Sequence, residues 1–329
     1  MTDMKIKTVV AVTQPEYEKG KVEFDGAEEE GIICVPAPRD EKGLAATIRS
    51  QKARHVICGV ERYKGELYEA LQRGGVIARF GVGFDSVDLE KAKEHGLLCT
   101  NTPGVLDESV AEHTIAFMLS ASRDLTIHDK STRSGLWLPK TGIELGGKRL
   151  AVIGAGSVGS RVARIAAFGF GMTVIGCEIK EVDWEEKRRQ YGFQKLVKDF
   201  GEAVEDADFV GLHIPSNTST RHFINHERLN MMTKRSWLIN TSRGEIVDES
   251  ALFDALNEHR IAGAALDVFE SEPYTAVDPA KDIRTLPNVI MTPHVASNTV
   301  QANQRMAERT IMNIILAERG EFDQMDLVN

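Results

Sequence analysis

Several things are scarce in this sequence, and each scarcity removes a class of protein. Its 329 residues hold four cysteines, Cys34, Cys58, Cys99 and Cys177, and no CxxC pair. That is neither a disulfide framework nor a zinc-ligand spacing. Each cysteine lies in an apolar, strand-like run (IICV, VICGV, LLCT, IGCEI), where a reduced thiol packs as a small hydrophobe. Positive charge is short as well: 40 Lys and Arg stand against 49 Asp and Glu, a formal net charge of −9. With no basic excess to neutralise phosphates, neither a nucleic acid nor a membrane surface is an expected partner. An anion can still be held, but only in a local pocket of Arg and backbone N–H groups.

Long apolar runs are also missing. The N-terminal MTDMKIKTVVAVTQ lacks the hydrophobic stretch of a signal peptide. The longest internal run, Ile165–Cys177, is interrupted by Gly169, Gly171 and Gly176 and is too short to span a bilayer. The expected location is the reducing cytoplasm. There are no repeats, no low-complexity tract and no Pro- or Ser-rich linker. What remains is an ordinary globular composition, 42% apolar and 27% charged. The length suits two domains, each with its own core.

Short β-rich runs alternate with helical patterns. The predicted strands are Thr8–Val12, His55–Cys58, Val76–Phe80, Arg149–Ile153, Thr173–Cys177, Phe209–His213, Ser236–Asn240, Gly263–Leu266 and Val289–Met291. Helical patterns fall at Gly65–Gln72, Leu89–His95, Val158–Phe168 and Glu249–Glu258. Such alternation, with near-continuous apolar strands, reads as α/β with parallel sheets covered on both faces. Two longer helices are expected over Asp107–Asp129 and Asn298–Arg319, both packing on a core. Asn101-Thr102-Pro103-Gly104 before the first is a turn signal and a plausible domain boundary.

The most informative local pattern is Arg149-Leu-Ala-Val-Ile-Gly154-Ala-Gly156-Ser157-Val158-Gly159-Ser, a GxGxxG that follows an apolar strand and opens a helix. In that context the first glycine permits a tight turn and the second lets a pyrophosphate approach the backbone. The third lets helix and strand pack closely. The helix N-terminus then offers free N–H groups to the diphosphate. The following strand ends at Glu178, nineteen residues beyond Gly159. A carboxylate there accepts from a ribose 2′-OH and repels a 2′-phosphate, which favours NAD over NADP; Lys180 nearby blurs the preference.

Three later segments put polar residues at strand ends, where open α/β sheets bind ligands. They are Asn240-Thr241-Ser242-Arg243-Gly244, Asp267-Val-Phe-Glu270-Ser-Glu272-Pro273 and Thr292-Pro293-His294-Val295-Ala296-Ser297. Singly, each has an ordinary structural explanation. Together, an Arg, an acid and a His downstream of a dinucleotide loop suit hydride transfer to a 2-keto acid. That reaction needs a cation for the carboxylate and carbonyl, an acid/base near neutrality, and a carboxylate to tune it.

On these segments, and on GVGFDSVD (81–88), NTPGVLDESVAEHTIAFML (101–119) and HIPSNTSTRHFIN (213–225), the chain resembles the D-isomer-specific 2-hydroxyacid dehydrogenase family over nearly its whole length. The resemblance implies two Rossmann-like or flavodoxin-like parallel-sheet domains. The NAD-binding domain, 103–296, would be inserted into a discontinuous substrate domain, 1–102 plus 297–329. It implies NAD(H) as cofactor and a small 2-keto or 2-hydroxy acid as substrate.

By position, Arg243 would bind substrate, His294 would be the acid/base, and Glu272, directly before the Pro, would pair with it in preference to Glu270. Gly154, Gly156, Ser157, Val158 and Gly159 would cover the pyrophosphate, and Glu178 would take the ribose. His213, Pro215, Thr218, Thr241, Ser242, Arg243, Asp267, His294, Ala296 and Ser297 would line the rest of the cofactor, Asp267 at the nicotinamide carboxamide. Backbone N–H groups of Val82 and Gly83 would hold the substrate carboxylate. A homodimer through the NAD-binding domain is implied by the Asp107–Asp129 helix.

Glu178 stands where Asp is commoner in the family, and Ser86 where Asn is common. The length leaves no room for the C-terminal regulatory domain of longer phosphoglycerate dehydrogenases, so a short-form enzyme is expected. Two alternatives share the fold. A formate- or phosphite-type dehydrogenase is one, and Glu272 argues against the formate enzyme, which has Gln there. An NAD(H)-sensing corepressor of the C-terminal-binding-protein type is the other. Which keto acid is used stays open. Arg79 and Arg54 suit a phosphate group, but surface ion pairs are their expected role. No metal site is expected, since His222 and His226 lack an accompanying acid pattern.

Overall fold

A computed structural model describes residues 7–329. The first six residues, part of the segment read above as lacking a signal peptide, lie outside the described residues. The chain divides into two compact units. One comprises residues up to Leu106 together with Asn298–Asn329, and the other Asp107–Ser297.

The first unit holds a parallel five-stranded sheet of β1 (Thr8–Thr13), β2 (Ile32–Ala37), β3 (His55–Cys58), β4 (Val76–Arg79) and β5 (Leu98–Thr100). Their order, β2-β1-β3-β4-β5, is that of the flavodoxin-like doubly wound fold. Both faces of the central strands are covered. Val10, Val12 and Ile57 pack with Phe24, Met306 and Ile314, while Ala11, Val56 and Ile77 pack with Leu44, Ile48 and Leu67. The helix Val300–Arg319 belongs to this unit. Thr299 caps it, accepting from the Ala302 N–H at 3.1 Å, and Gly320 ends it at φ +75°.

The second unit holds a parallel seven-stranded sheet: β6 (Arg149–Ile153), β7 (Thr173–Cys177), β8 (Phe193–Val197), β9 (Phe209–Leu212), β10 (Trp237–Asn240), β11 (Gly263–Leu266) and β12 (Val289–Met291). The order is β12-β11-β10-β9-β6-β7-β8. The strand order reverses between β6 and β9, which opens a crevice at their carboxyl ends.

Three strands are missing from the predicted set, β2, β5 and β8, although β2 and β5 contain the strand-like runs noted around Cys34 and Cys99. All three are sheet edges. An edge strand is half solvated and need not be continuously apolar, as Gln194 and Lys195 in β8 show by their exposure. The expected helix over Asp107–Asp129 is two helices, Asp107–Ser122 and Leu125–Arg133, broken where Asp124 turns left-handed at φ +47°. The helix expected to reach Phe168 is regular only over Ser157–Arg164 and then widens into a π turn, Ile165–Gly169.

Arg79 is not a surface residue. It ends β4 at 6% exposure, with its guanidinium donating to the Phe80 carbonyl. Arg54, half exposed, pairs with Glu318 at 3.2 Å. Burial pushes the Cys34, Cys58 and Cys99 thiols up to about 12 and that of Cys177 to about 11, so all four are protonated at neutral pH. Among the described residues no helix is long and apolar enough to cross a membrane.

His55 ties the first unit together. Its fully buried ring accepts the Val76 N–H on Nδ1 at 3.0 Å and faces Glu318 through Nε2 at 2.9 Å. Burial lowers its pKa and outweighs the opposing pull of Glu318. The unfolded chain takes up this proton near the ordinary histidine value, about 6.5, before the folded one does. Stability is therefore full above that value and falls as pH drops through it. Urea unfolding at pH 7.5 and 5.5 is expected to show this loss in the wild type and a smaller one in His55→Gln. Equal losses in both would contradict it.

Candidate active site

The glycine loop lies at the crevice between β6 and β9. A Cβ on Gly159 would sit 2.0 Å from the Gly154 carbonyl oxygen, so only glycine lets this helix pack on its strand. At Gly156 an added Cβ meets nothing within 4 Å, and Gly156 precedes the helix Ser157–Arg164 without a side-chain cap. Open space above a helix N-terminus is the shape a diphosphate requires. Glu178, one residue past β7, accepts from the Ala155 N–H at 3.0 Å on one oxygen and from the Lys180 N–H at 2.9 Å on the other. Its carboxylate is thus pinned beside the glycine loop. Lys187 steadies the same loop, donating to the Ala155 carbonyl and the Ser160 hydroxyl, each at 2.8 Å. These residues fit NAD(H).

His213 follows β9. Burial lowers its imidazole to about 4, and neither ring nitrogen has a hydrogen-bond partner among the described residues. The ring is therefore neutral at neutral pH. Pro215 and Thr218 are exposed on the loop beyond it. Val82 and Gly83 belong to the first unit, in the loop after β4, where the Asn101 side chain donates to the Val82 carbonyl at 2.6 Å.

The loops after β10, β11 and β12 bring the polar residues together. Asn240, fully buried at the end of β10, shapes the first loop. Its Oδ1 accepts from the Ser242 N–H at 3.0 Å and hydroxyl at 2.8 Å, and its Nδ2 donates to the Arg243 carbonyl at 2.8 Å. Thr241 is anchored on the Thr114 hydroxyl at 3.0 Å. Gly244 then runs against the next loop so closely that a Cβ would lie 1.9 Å from the Phe269 carbonyl carbon and 2.5 Å from the Glu270 nitrogen. This close approach keeps Arg243 beside the segment that carries Glu272.

Asp267, at 0% exposure, organises the third loop. One carboxylate oxygen accepts from the Thr292 hydroxyl at 2.5 Å and the Val295 N–H at 2.9 Å, the other from the Ala296 N–H at 2.8 Å. Its backbone carbonyl takes the His294 N–H at 2.8 Å. The loop so held places His294 at φ +54°, a conformation a β-substituted residue adopts only under constraint. Its Nδ1 then meets Glu272 Oε2 at 2.7 Å.

Glu272 Oε1 accepts the Phe269 N–H at 3.0 Å. Burial alone would raise the Glu272 carboxyl, but the hydrogen bond and charge of His294, the Phe269 N–H and the Arg243 charge together hold it below the usual range. His294 thus pairs with Glu272, whereas Glu270 faces His222 at 2.8 Å. Both ring and carboxylate remain about one-third exposed. With Nδ1 engaged, Nε2 is the nitrogen left for a reacting group.

Asn240, Thr292 and Gly244 were not singled out individually from the sequence. Asn240 had a usable signal, a polar residue closing the apolar strand WLIN. The others depend on partners far along the chain.

The family model described as "D-isomer specific 2-hydroxyacid dehydrogenase, NAD binding domain" matches residues 115–296. The chain belongs to this family. A glyoxylate reductase of Korarchaeum cryptofilum is 34% identical over 98% of this chain and 96% of its own. Among solved structures, a D-lactate dehydrogenase from Aquifex aeolicus, complexed with NAD and lactic acid, is 29% identical. It covers 97% of this chain and 98% of its own, with a TM-score of 0.80. The pyruvate reductase of Chlamydomonas reinhardtii, at 29% identity, covers 96% and 98% with a TM-score of 0.81. The dehydrogenase described here is an NAD-dependent oxidoreductase that interconverts a 2-keto acid and its D-2-hydroxy acid.

The close approach at Gly244 predicts that Gly244→Ala costs about 1–3 kcal/mol, the usual range for overpacking against backbone. Urea unfolding measures it; a free energy equal to the wild type's would mean the loops are not in contact.

Proposed function

We propose that this dehydrogenase reduces a small 2-keto acid of the glyoxylate or hydroxypyruvate kind, with His294 as acid/base, Glu272 as its partner and Arg243 as the substrate cation. The observation that carries the assignment is the 2.7 Å contact between His294 Nδ1 and Glu272 Oε2 beside a loop bearing Arg243. The names of the glyoxylate reductases that resemble the chain support the substrate class. Bound NADH supplies the hydride.

The Glu272 contact on Nδ1 fixes the orientation of the ring, so Nε2 can give a proton to the carbonyl oxygen. The Arg243 guanidinium polarises that carbonyl and orients the acid group through paired hydrogen bonds. In the oxidative direction His294 takes the hydroxyl proton. Val82 and Gly83 take the substrate carboxylate through backbone N–H groups in this scheme. The cofactor is held by the glycine loop (Gly154, Gly156, Ser157, Val158, Gly159), by Glu178 and His213, and by Thr241, Ser242, Asp267, Ala296 and Ser297. Pro215 and Thr218 complete that set. The Glu178 carboxylate, held on the Ala155 and Lys180 N–H groups, repels a 2′-phosphate, which supports NADH over NADPH.

The test is a panel of glyoxylate, hydroxypyruvate, pyruvate and 3-phosphohydroxypyruvate with NADH, compared as kcat/KM ratios. Glyoxylate or hydroxypyruvate is expected to rank first, and His294→Ala to lose at least about 10²-fold in turnover with NADH binding intact. Unchanged turnover in that variant would sink the assignment. Tight NADH binding with no turnover on any of the four would favour a sensor.

We further infer a homodimer formed through the second unit and a cytoplasmic location, the latter supported by four free cysteines. The helix Leu125–Arg133 buries no residue, and the loop after it leaves Leu136, Trp137 and Leu138 exposed, Trp137 at 85%. Apolar surface of this kind marks an interface. Light scattering at micromolar concentration is expected to give twice the chain mass, and the double variant Trp137→Ser, Leu138→Ser a lower one. A monomeric mass for the wild type would overturn the dimer.

A further inference from the structure

Behind the Glu272–His294 pair lies a buried carboxyl with no part in the scheme above. Glu249 is the first residue of the helix Glu249–Asn257, which Asp248 caps by accepting the Ala251 N–H at 3.0 Å. It is 4% exposed. Its own N–H, one of those a helix start leaves without an internal partner, donates to Glu270 Oε1 at 3.0 Å. In return the Glu270 N–H donates to Glu249 Oε1 at 2.7 Å. The other Glu270 oxygen faces His222 Nε2 at 2.8 Å and the Arg221 guanidinium at 3.9 Å. The segment leading to Glu272 is therefore tied at two successive amides. Phe269 N–H goes to Glu272 and Glu270 N–H goes to Glu249.

We propose that Glu249 is a positioning residue for the reaction: through the Glu270 amide it holds segment 269–272 so that Glu272 stays on His294 Nδ1. This rests on the roles proposed above for Glu272 and His294. Burial raises the Glu249 carboxyl; the Glu270 N–H opposes this, and the charges of Glu270 and Glu272 add to it, bringing it to about 7. The charged groups around it are Glu270 and Glu272 on the segment after β11, with His222 and Arg221 beyond Glu270. Its Oε2 has no hydrogen-bond partner among the described residues to favour the ionised form. Below neutrality Glu249 is the neutral acid, which holds the amide without setting a second negative charge beside Glu272.

The experiment compares the wild-type chain with Glu249→Ala, Glu249→Asp and Glu249→Gln in two readouts. The first is kcat and KM for glyoxylate with the NADH dissociation constant. The second is hydrogen exchange at the Glu270 amide, which needs no turnover. Glu249→Ala is expected to lower kcat about tenfold, leave NADH binding unchanged, and speed Glu270 exchange about tenfold, the effect of losing one buried hydrogen bond. Glu249→Gln keeps the acceptor and should restore both. Glu249→Asp, a milder change if the Ala variant fails to fold, withdraws the acceptor by one methylene and should move both readouts in the Ala direction.

Glu270 exchange unchanged in the Ala and Asp variants overturns the proposal whatever the activity. A Gln variant as impaired as Ala also overturns it. A wild type inactive on every keto acid would instead remove the catalytic roles of Glu272 and His294.

Discussion

The Asp267 carboxylate is the constraint on which the candidate site depends. A carboxylate buried at 0% exposure must be met by donors, and here its hydrogen bonds come from one loop, the Thr292 hydroxyl and the Val295 and Ala296 N–H groups, with His113 Nε2 at 3.8 Å on the same oxygen as Thr292. To supply them the chain folds tightly back over the end of β11. The strained backbone of His294, at φ +54°, is the consequence. Satisfying one buried carboxylate thereby aims an imidazole at another, Glu272. The side chain expected at the nicotinamide carboxamide is, in this structure, first of all the anchor of the His294 loop.

The same logic recurs one strand over. Asn240 is buried at the end of β10 and satisfies itself on the turn that carries Arg243, and Gly244 lets that turn press against Phe269 and Glu270. Glu249 and Glu270 exchange backbone and side-chain hydrogen bonds on the far side of that segment. Three consecutive strand-end loops are thus set by buried polar residues, Asn240, Glu249 and Asp267. Parallel strands make this possible, since their carboxyl ends all open on the same edge of the sheet.

Much of the fold was legible because central parallel strands are covered on both faces and read as continuous apolar runs. Nine strands were found in this way: all eight interior ones, β6 with its glycine loop among them, and the edge β12. The edge β8 was not, because its solvated Gln194 and Lys195 break that pattern, and the edges β2 and β5 showed only as strand-like runs around Cys34 and Cys99. The break at Asp124 was missed for a different reason. Helical periodicity continues across it, and nothing local announces that an Asp turns left-handed.

Within the site, the sequence alone determined the inventory: a glycine loop between strand and helix, an acid nineteen residues on, and an Arg, acids and a His at successive strand ends. These are local signals, carried by spacing and residue type. The family resemblance already implied that Glu272 pairs with His294, as the structure has it. What only the tertiary structure decided is the rest of the pairing: Glu270 faces His222, and Glu249 closes on Glu270 from twenty-one residues away. Hydrogen bonds between residues distant in sequence form only when packing brings separate loops to one edge, so residue spacing alone does not assign them.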